Sequence, residues 1–180
     1  MKLRKRGVLP ALAAALCVAV SVGFWTASAN PAPAVQADAP SPLVEDFSYP
    51  GADAIEAQYG VTLISGDGHI VFADCGTPVE NGVGVLQVRT SETIGADGAG
   101  LICFKILGVP GHLDLMVPAV YEIRGDGRTS GAGHKVKAEL TTDDGDHTTV
   151  NVNPSGSTPV GIGASPNNEP TTLLSLDATT

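Results

Sequence analysis

The stretch GVTLISGDGHIVFADC, residues 60–75, sets an acid, a histidine and a cysteine among glycines and alternating apolar residues, and its reading decides the fold. Read as a site, it would pair Asp67 with His69. Read as local structure, Gly66-Asp67-Gly68 is a turn, because glycine reaches positive φ without a Cβ penalty and an aspartate side chain accepts bonds from turn backbone. The spacing predicts a three-residue β-hairpin in which Ile64 pairs with Ile70, Leu63 with Val71 and Val61 with Ala73. His69 then begins the returning strand. Cys75 shares the face of Val71 and is aimed at another strand. The hairpin accounts for these residues without a catalytic Asp-His pair, since nothing adjacent supplies a nucleophile.

Beyond this stretch, short apolar or alternating runs are punctuated by Gly, Asp, Asn and Pro about every ten residues, the spacing of sandwiches and barrels. The candidate strands are VTLIS, IVFAD, VLQVRT, LICFKIL, LDLMV, VYEIR, KVKAEL, TTVNVN and TLLSLD. In KVKAEL, Val136, Ala138 and Leu140 face one side while Lys135, Lys137 and Glu139 face the other, so one face of that strand is wet. In LICFKIL, Ile102, Phe104 and Ile106 oppose Leu101, Cys103 and Lys105. The expected fold is all-β, an antiparallel β-sandwich of roughly eight or nine short strands. A short helix in GADAIEAQYG, closed by Gly60, precedes them. Aromatic residues make up 4% of the chain, so the core must come from Val, Leu, Ile and Ala.

The chain opens with MKLRKRGVLPALAAALCVAVSVGFWTASAN: cations, then an apolar run from Gly7 to Trp25, then small residues. That is the layout of a secretory signal, with Ala27 and Ala29 forming the A-x-A cleavage pattern and Asn30 as the first mature residue. An uncleaved membrane span is the alternative, since the run approaches the ~18–20 residues that cross a bilayer. Leu16 before Cys17 does not suit lipidation, and Arg4-Lys5-Arg6 lacks a twin arginine. Residues 30–50 form a Pro/Ala-rich leader without helix or strand period, read as disordered. Residues 51–180 form a single β-rich domain.

Cleavage removes Lys2, Arg4, Lys5 and Arg6 and no acid, leaving 6 basic against 19 acidic residues and a formal charge of −13. Such a field repels phosphate backbones and anionic lipid, which disfavours nucleic-acid partners and membrane surfaces. The two cysteines left, Cys75 and Cys103, enter an oxidising compartment and read as one disulfide. No C-x-x-C or H-x-x-x-H spacing offers a zinc site.

Three loops carry polar groups that a ligand could meet. The first holds Asp67 and His69. The second, YEIRGDGRTSG, contains Arg124-Gly125-Asp126, a tripeptide recognised by adhesion receptors when displayed, though the glycines and Asp126 are explained by a turn. The third, TTDDGDHTT, gathers Asp143, Asp144 and Asp146. It departs from the EF-hand pattern and would offer at most a weak calcium contact of ~0.1–1 mM. No other cofactor is implied. The sequence lacks a G-x-S-x-G elbow, H-E-x-x-H, and a phosphate-binding G-x-x-x-x-G-K-[ST] loop, so no catalytic residue is assigned.

SGDGHIVFADC, CFKILGVPGHLDLMVPAVYEIRGDG and TPVGIGASPNNEPTTLLSL, within Gly51 to Leu176, resemble a group of small secreted actinobacterial proteins that has no established activity. The resemblance implies export and one compact domain, and transfers no catalytic residue. The functional expectation is a monomeric, non-catalytic binding or accessory module acting on an extracellular or cell-envelope ligand. The alternatives are a secreted hydrolase assembled from distant loops and an extracellular protease inhibitor.

Overall fold

The computed structural model describes residues 47–180. The expected signal, with Ala27, Ala29 and Asn30, and most of the expected leader lie outside the described residues.

One helix, α1 (Ala52–Tyr59), precedes nine strands: β1 (Thr62–Gly66), β2 (Ile70–Ala73), β3 (Leu86–Thr90), β4 (Leu101–Ile106), β5 (Gly111–Arg124), β6 (Lys135–Thr142), β7 (His147–Val152), β8 (Ser157–Pro159) and β9 (Thr171–Thr179). Glycines at positive φ, Gly51 (74°) and Gly60 (68°), bound the helix, and the Gly60 N–H donates to the Glu56 carbonyl at 2.8 Å. Its sequence has no residue to bury completely; Ala52, Ile55 and Tyr59 rest against the edge of the core.

All strand pairs are antiparallel, in the order β2-β4-β3-β5-β9-β6-β7, with β1 and β8 added on β5. The 14-residue β5 is the hinge of this arrangement. Its first half pairs with β1 on one edge and β9 on the other; its second half pairs with β3 and β8. Between the halves, Pro118 has no N–H to give and Ala119 sits at φ 50°, so both neighbouring ladders shift register. The carbonyls freed there are taken by buried threonines. Thr90 Oγ1 donates to Pro118 O at 2.5 Å and Thr171 Oγ1 to Val120 O at 2.9 Å. A continuous sheet thereby supplies both inner faces of the core, where Leu63, Leu86, Val88, Ile102, Phe104, Leu113, Leu115, Ile123, Leu140, Leu173 and Leu176 form one cluster.

The hairpin expected at residues 61–73 is not formed, and this is the main correction to the sequence reading. β1 pairs with β5 (Leu63 opposite Leu115) and β2 pairs with β4 (Phe72 opposite Phe104). A hairpin would put Ile64 and Ile70 on one face, yet Ile70 is buried and Ile64 is 50% exposed. Burying Val61 and Leu63 beside the inward Leu113 and Leu115 gains more apolar contact than the local pairing would. Gly66-Asp67-Gly68 is instead a corner, with Gly68 at φ 81°, that sends the chain from β5 to the β4 edge.

The last residues of the expected leader, from Phe47 on, are among those described. Phe47-Ser48-Tyr49 runs beside β1, with Tyr49 N donating to Ile64 O and Gly66 N to Phe47 O, each at 3.1 Å. The Phe72 N–H donates to the Tyr49 hydroxyl at 2.7 Å. These residues are ordered because an amphipathic tyrosine can bury its ring and still satisfy its oxygen.

Cys75 follows β2 and bonds Cys103 on β4, with Cα atoms 5.2 Å apart. The bridge closes a 28-residue separation, worth about 3–4 kcal/mol in the chain-entropy model.

Candidate functional site

The corner at Asp67 gathers polar groups from four segments. Asp67 Oδ1 accepts the His69 N–H and Oδ2 the His112 N–H, both at 2.9 Å, which is why an aspartate suits this turn. Desolvation works against it, but these two N–H donors and the nearby imidazoles hold the Asp67 carboxyl below the ordinary range. His69 Nδ1 meets the Pro110 carbonyl at 2.5 Å.

His112 lies next to this corner on β5. Its Nδ1 is 2.7 Å from Asp177 Oδ1 on β9, and its Nε2 is 3.1 Å from Asp114 Oδ1 two residues along β5. Ser65 Oγ on β1 donates to Asp114 Oδ2 at 2.6 Å, which completes a chain of polar groups across three strands. The hydrogen bond to Asp177, opposed by desolvation and joined by the bond to Asp114, raises the His112 pKa above its ordinary value. Two carboxylates on one ring favour the imidazolium, which donates from both nitrogens. In that charged form the ring has no lone pair with which to take a proton from a nucleophile.

The second loop buries what a displayed tripeptide would show. Asp126 is fully buried; its oxygens accept the His134 N–H at 2.8 Å and meet His134 Nδ1 at 2.6 Å. Asp126 is therefore corrected from a loop residue available to ligands to an internal brace. Gly125 is buried as well, and a Cβ there would collide with the Asn153 and Pro154 carbonyls. Arg124 remains partly exposed at the end of β5. Arg128, from the same loop, donates to the carbonyls of Gly125 (2.8 Å) and Val85 (2.7 Å).

The third loop, between β6 and β7, exposes Asp143, Asp144 and Asp146. Asp144 turns toward Glu169. Its charge, with smaller contributions from desolvation and a shared hydrogen bond, raises the Glu169 carboxyl. Among the described residues no group of three or more His, Cys, Asp or Glu side chains is placed to hold a metal ion, so the three aspartates are not drawn together as a calcium contact would require. His147 Nδ1 is spent on Glu139 at 2.9 Å. Beside this turn lies a cleft of about 510 Å³. Leu140, Val150 and Val160 line it, and Thr142, Asn168 and Glu169 contribute its polar groups.

Of the residues singled out in sequence, Asp67 and His69 do come together, through backbone as much as side chain, while Arg124 and Asp126 diverge. Sequence reasoning named His134 as a residue that a hydrolase would pair with an acid, and the structure pairs it with Asp126; it missed Asp114, Asp177 and Glu169 and gave His112 no role. The spacing His112-Leu113-Asp114 does put two polar groups on one strand face, but Asp177 joins them only through the β5–β9 register. No protein-family model matches the chain, and no curated protein matches it.

Proposed function

We propose that the chain is an exported, acidic, non-catalytic binding or accessory module that works outside the cell. The observation carrying this reading is His112, the ring with the most polar contacts, whose two nitrogens are both held by carboxylates, so that neither is free to act as a base. His69, His112, His134 and His147 each commit Nδ1 to a carboxylate or a backbone carbonyl, and His112 commits both nitrogens. These pairings brace corners and strand ends. The cleft between β6, β7 and residues 159–171 is the surface this reading offers to a ligand. Export is supported by the apolar N-terminal run and its A-x-A motif, and by the Cys75–Cys103 bridge. Among the described residues no helix is long and apolar enough to cross a membrane.

A hydrolase reading has one observation in its favour: buried Asp126 orients His134 as the acid of a triad orients its base. Purified secreted protein decides between them. The expected intact mass corresponds to a chain starting near Asn30, and peptide, ester and glycoside panels should show no turnover. Turnover that is abolished by His134→Ala, in a variant that melts at the wild-type temperature, sinks the non-catalytic reading.

A further inference from the structure

On β3 and β5, Gln87 lies opposite Arg124 and Arg89 opposite Glu122. Val88 and Ile123, between them, point into the core and are fully buried, so these four side chains share the outer face. Arg89 and Arg124 are diagonal neighbours there, about 7–8 Å apart at the backbone, within mutual reach of two long side chains. Arg128 closes the end of the same strand pair, since the carbonyls that hold it, Val85 and Gly125, directly precede β3 and follow β5. Residues 47–180 contain six lysines and arginines against sixteen acids, yet three of the six lie along this strand pair, with Arg124 between the other two and close enough to Arg128 to act on its charge.

The cations here are underpaired. The Nε atoms of Arg89 and Arg124 are shielded from solvent and have no hydrogen-bond partner. Arg124 makes no side-chain hydrogen bond or ion pair with any described residue. Arg89 has only a 3.6 Å approach to Glu122 Oε1, an oxygen that already accepts Ser157 Oγ at 2.9 Å. Asp126 tempers Arg128 from within the loop, but both its oxygens are engaged by His134. Desolvation and the neighbouring Arg124 charge together pull the Arg128 pKa down. Beyond these shielded Nε atoms, no described hydrogen bond takes the terminal nitrogens of Arg89 or Arg124, and donors left unpaired there can be satisfied by an incoming acceptor.

We propose that the outer face of the β3–β5 pair binds an oxyanion, the carboxylate, sulfate or phosphate group of a ligand, between Arg124, Arg89 and Arg128. The guanidinium forks match the paired oxygens of such groups, and Arg128, sewn to three backbone carbonyls, fixes one wall. The overall negative charge does not prevent this. Charges beyond about 8 Å are screened at physiological ionic strength, so the local arginines set the potential at the site.

The test titrates the secreted protein with inorganic phosphate, sulfate and acetate at constant ionic strength, using chloride as filler and following the arginine Nε–H resonances by NMR. At least one of the three anions should shift Arg89 and Arg124 saturably. Preference for acetate assigns a carboxylate ligand, and preference for phosphate or sulfate a tetrahedral one. Arg124→Gln should weaken binding by about tenfold or more, the loss of charge-assisted bonds. Arg124→Lys, which keeps the charge without the fork, should also weaken it, while Lys137→Gln on β6 should not. Non-saturating shifts, or equal affinity in wild type and a folded Arg124→Gln or Arg89→Gln variant, overturn the site. That result would leave the non-catalytic reading where it stands, since that reading depends on the histidines.

Discussion

His112 makes the sheet sensitive to protons. Its raised pKa means that the clamp on Asp114 and Asp177 is worth most when the ring is charged. This stabilisation is complete below the ordinary histidine value of about 6.5 and is lost as pH rises through the higher folded value. Asp67 has the opposite sign. Its carboxyl is held low, so its contribution is present above about 3.9 and is lost as pH falls through the folded value. The ring is 44% exposed, which limits the effect to the ~0.2–1 kcal/mol of solvent-screened pairs. Denaturant midpoints for wild type and His112→Asn should differ most on the acid side of neutrality and converge as the medium becomes alkaline. A gap of constant size would remove the clamp from the account. Part of this site was legible: Asp67 in a Gly-Asp-Gly turn had a physical role in sequence, and the structure gives it that role. Its partner His112 could not be read, because 45 residues separate the two and only the folding of β1 onto β5 joins them.

At the scale of elements, LDLMV and VYEIR read as two strands because Pro118 between them cannot donate to a ladder. They are one strand in the fold because Thr90 and Thr171 satisfy the carbonyls exposed at the break. Alternation located KVKAEL and LICFKIL correctly, down to the buried Val136, Ala138, Leu140, Ile102, Phe104 and Ile106. It missed β8, where three residues are too few to display a period. It also misassigned the partner of β1, since turn chemistry reports that a chain bends and not which neighbour receives it. The bend in β5 is testable at Ala119, whose φ of 50° carries a left-handed penalty of about 1–2 kcal/mol. Glycine removes that penalty at a backbone-entropy cost of about 0.5–1 kcal/mol. Ala119→Gly should therefore stabilise the protein by up to ~1 kcal/mol in equilibrium unfolding, and Ala119→Val should destabilise it. Destabilisation by glycine would mean that the alanine methyl has a packing role larger than the strain.

For the whole molecule, composition and punctuation sufficed to indicate an antiparallel β domain with an aliphatic core; the path of its hydrogen bonding did not show, because register is decided by distant faces meeting. The position of β9 matters most. It lies between β5 and β6, and its Leu173, Leu176 and Ala178 are buried in the common core. A chain ending at Pro170 would expose one edge of each of those strands and lose the cooperative unfolding transition, a result that circular dichroism during thermal melting would reveal. A ribosome releases residues in order, and β5 and β6 emerge well before the strand that joins them. Contacts of such long sequence separation form slowly, so the nascent polypeptide stays open until β9 is in hand. The middle of the sheet is thus the last place to be filled, and β9 is the latch that closes it.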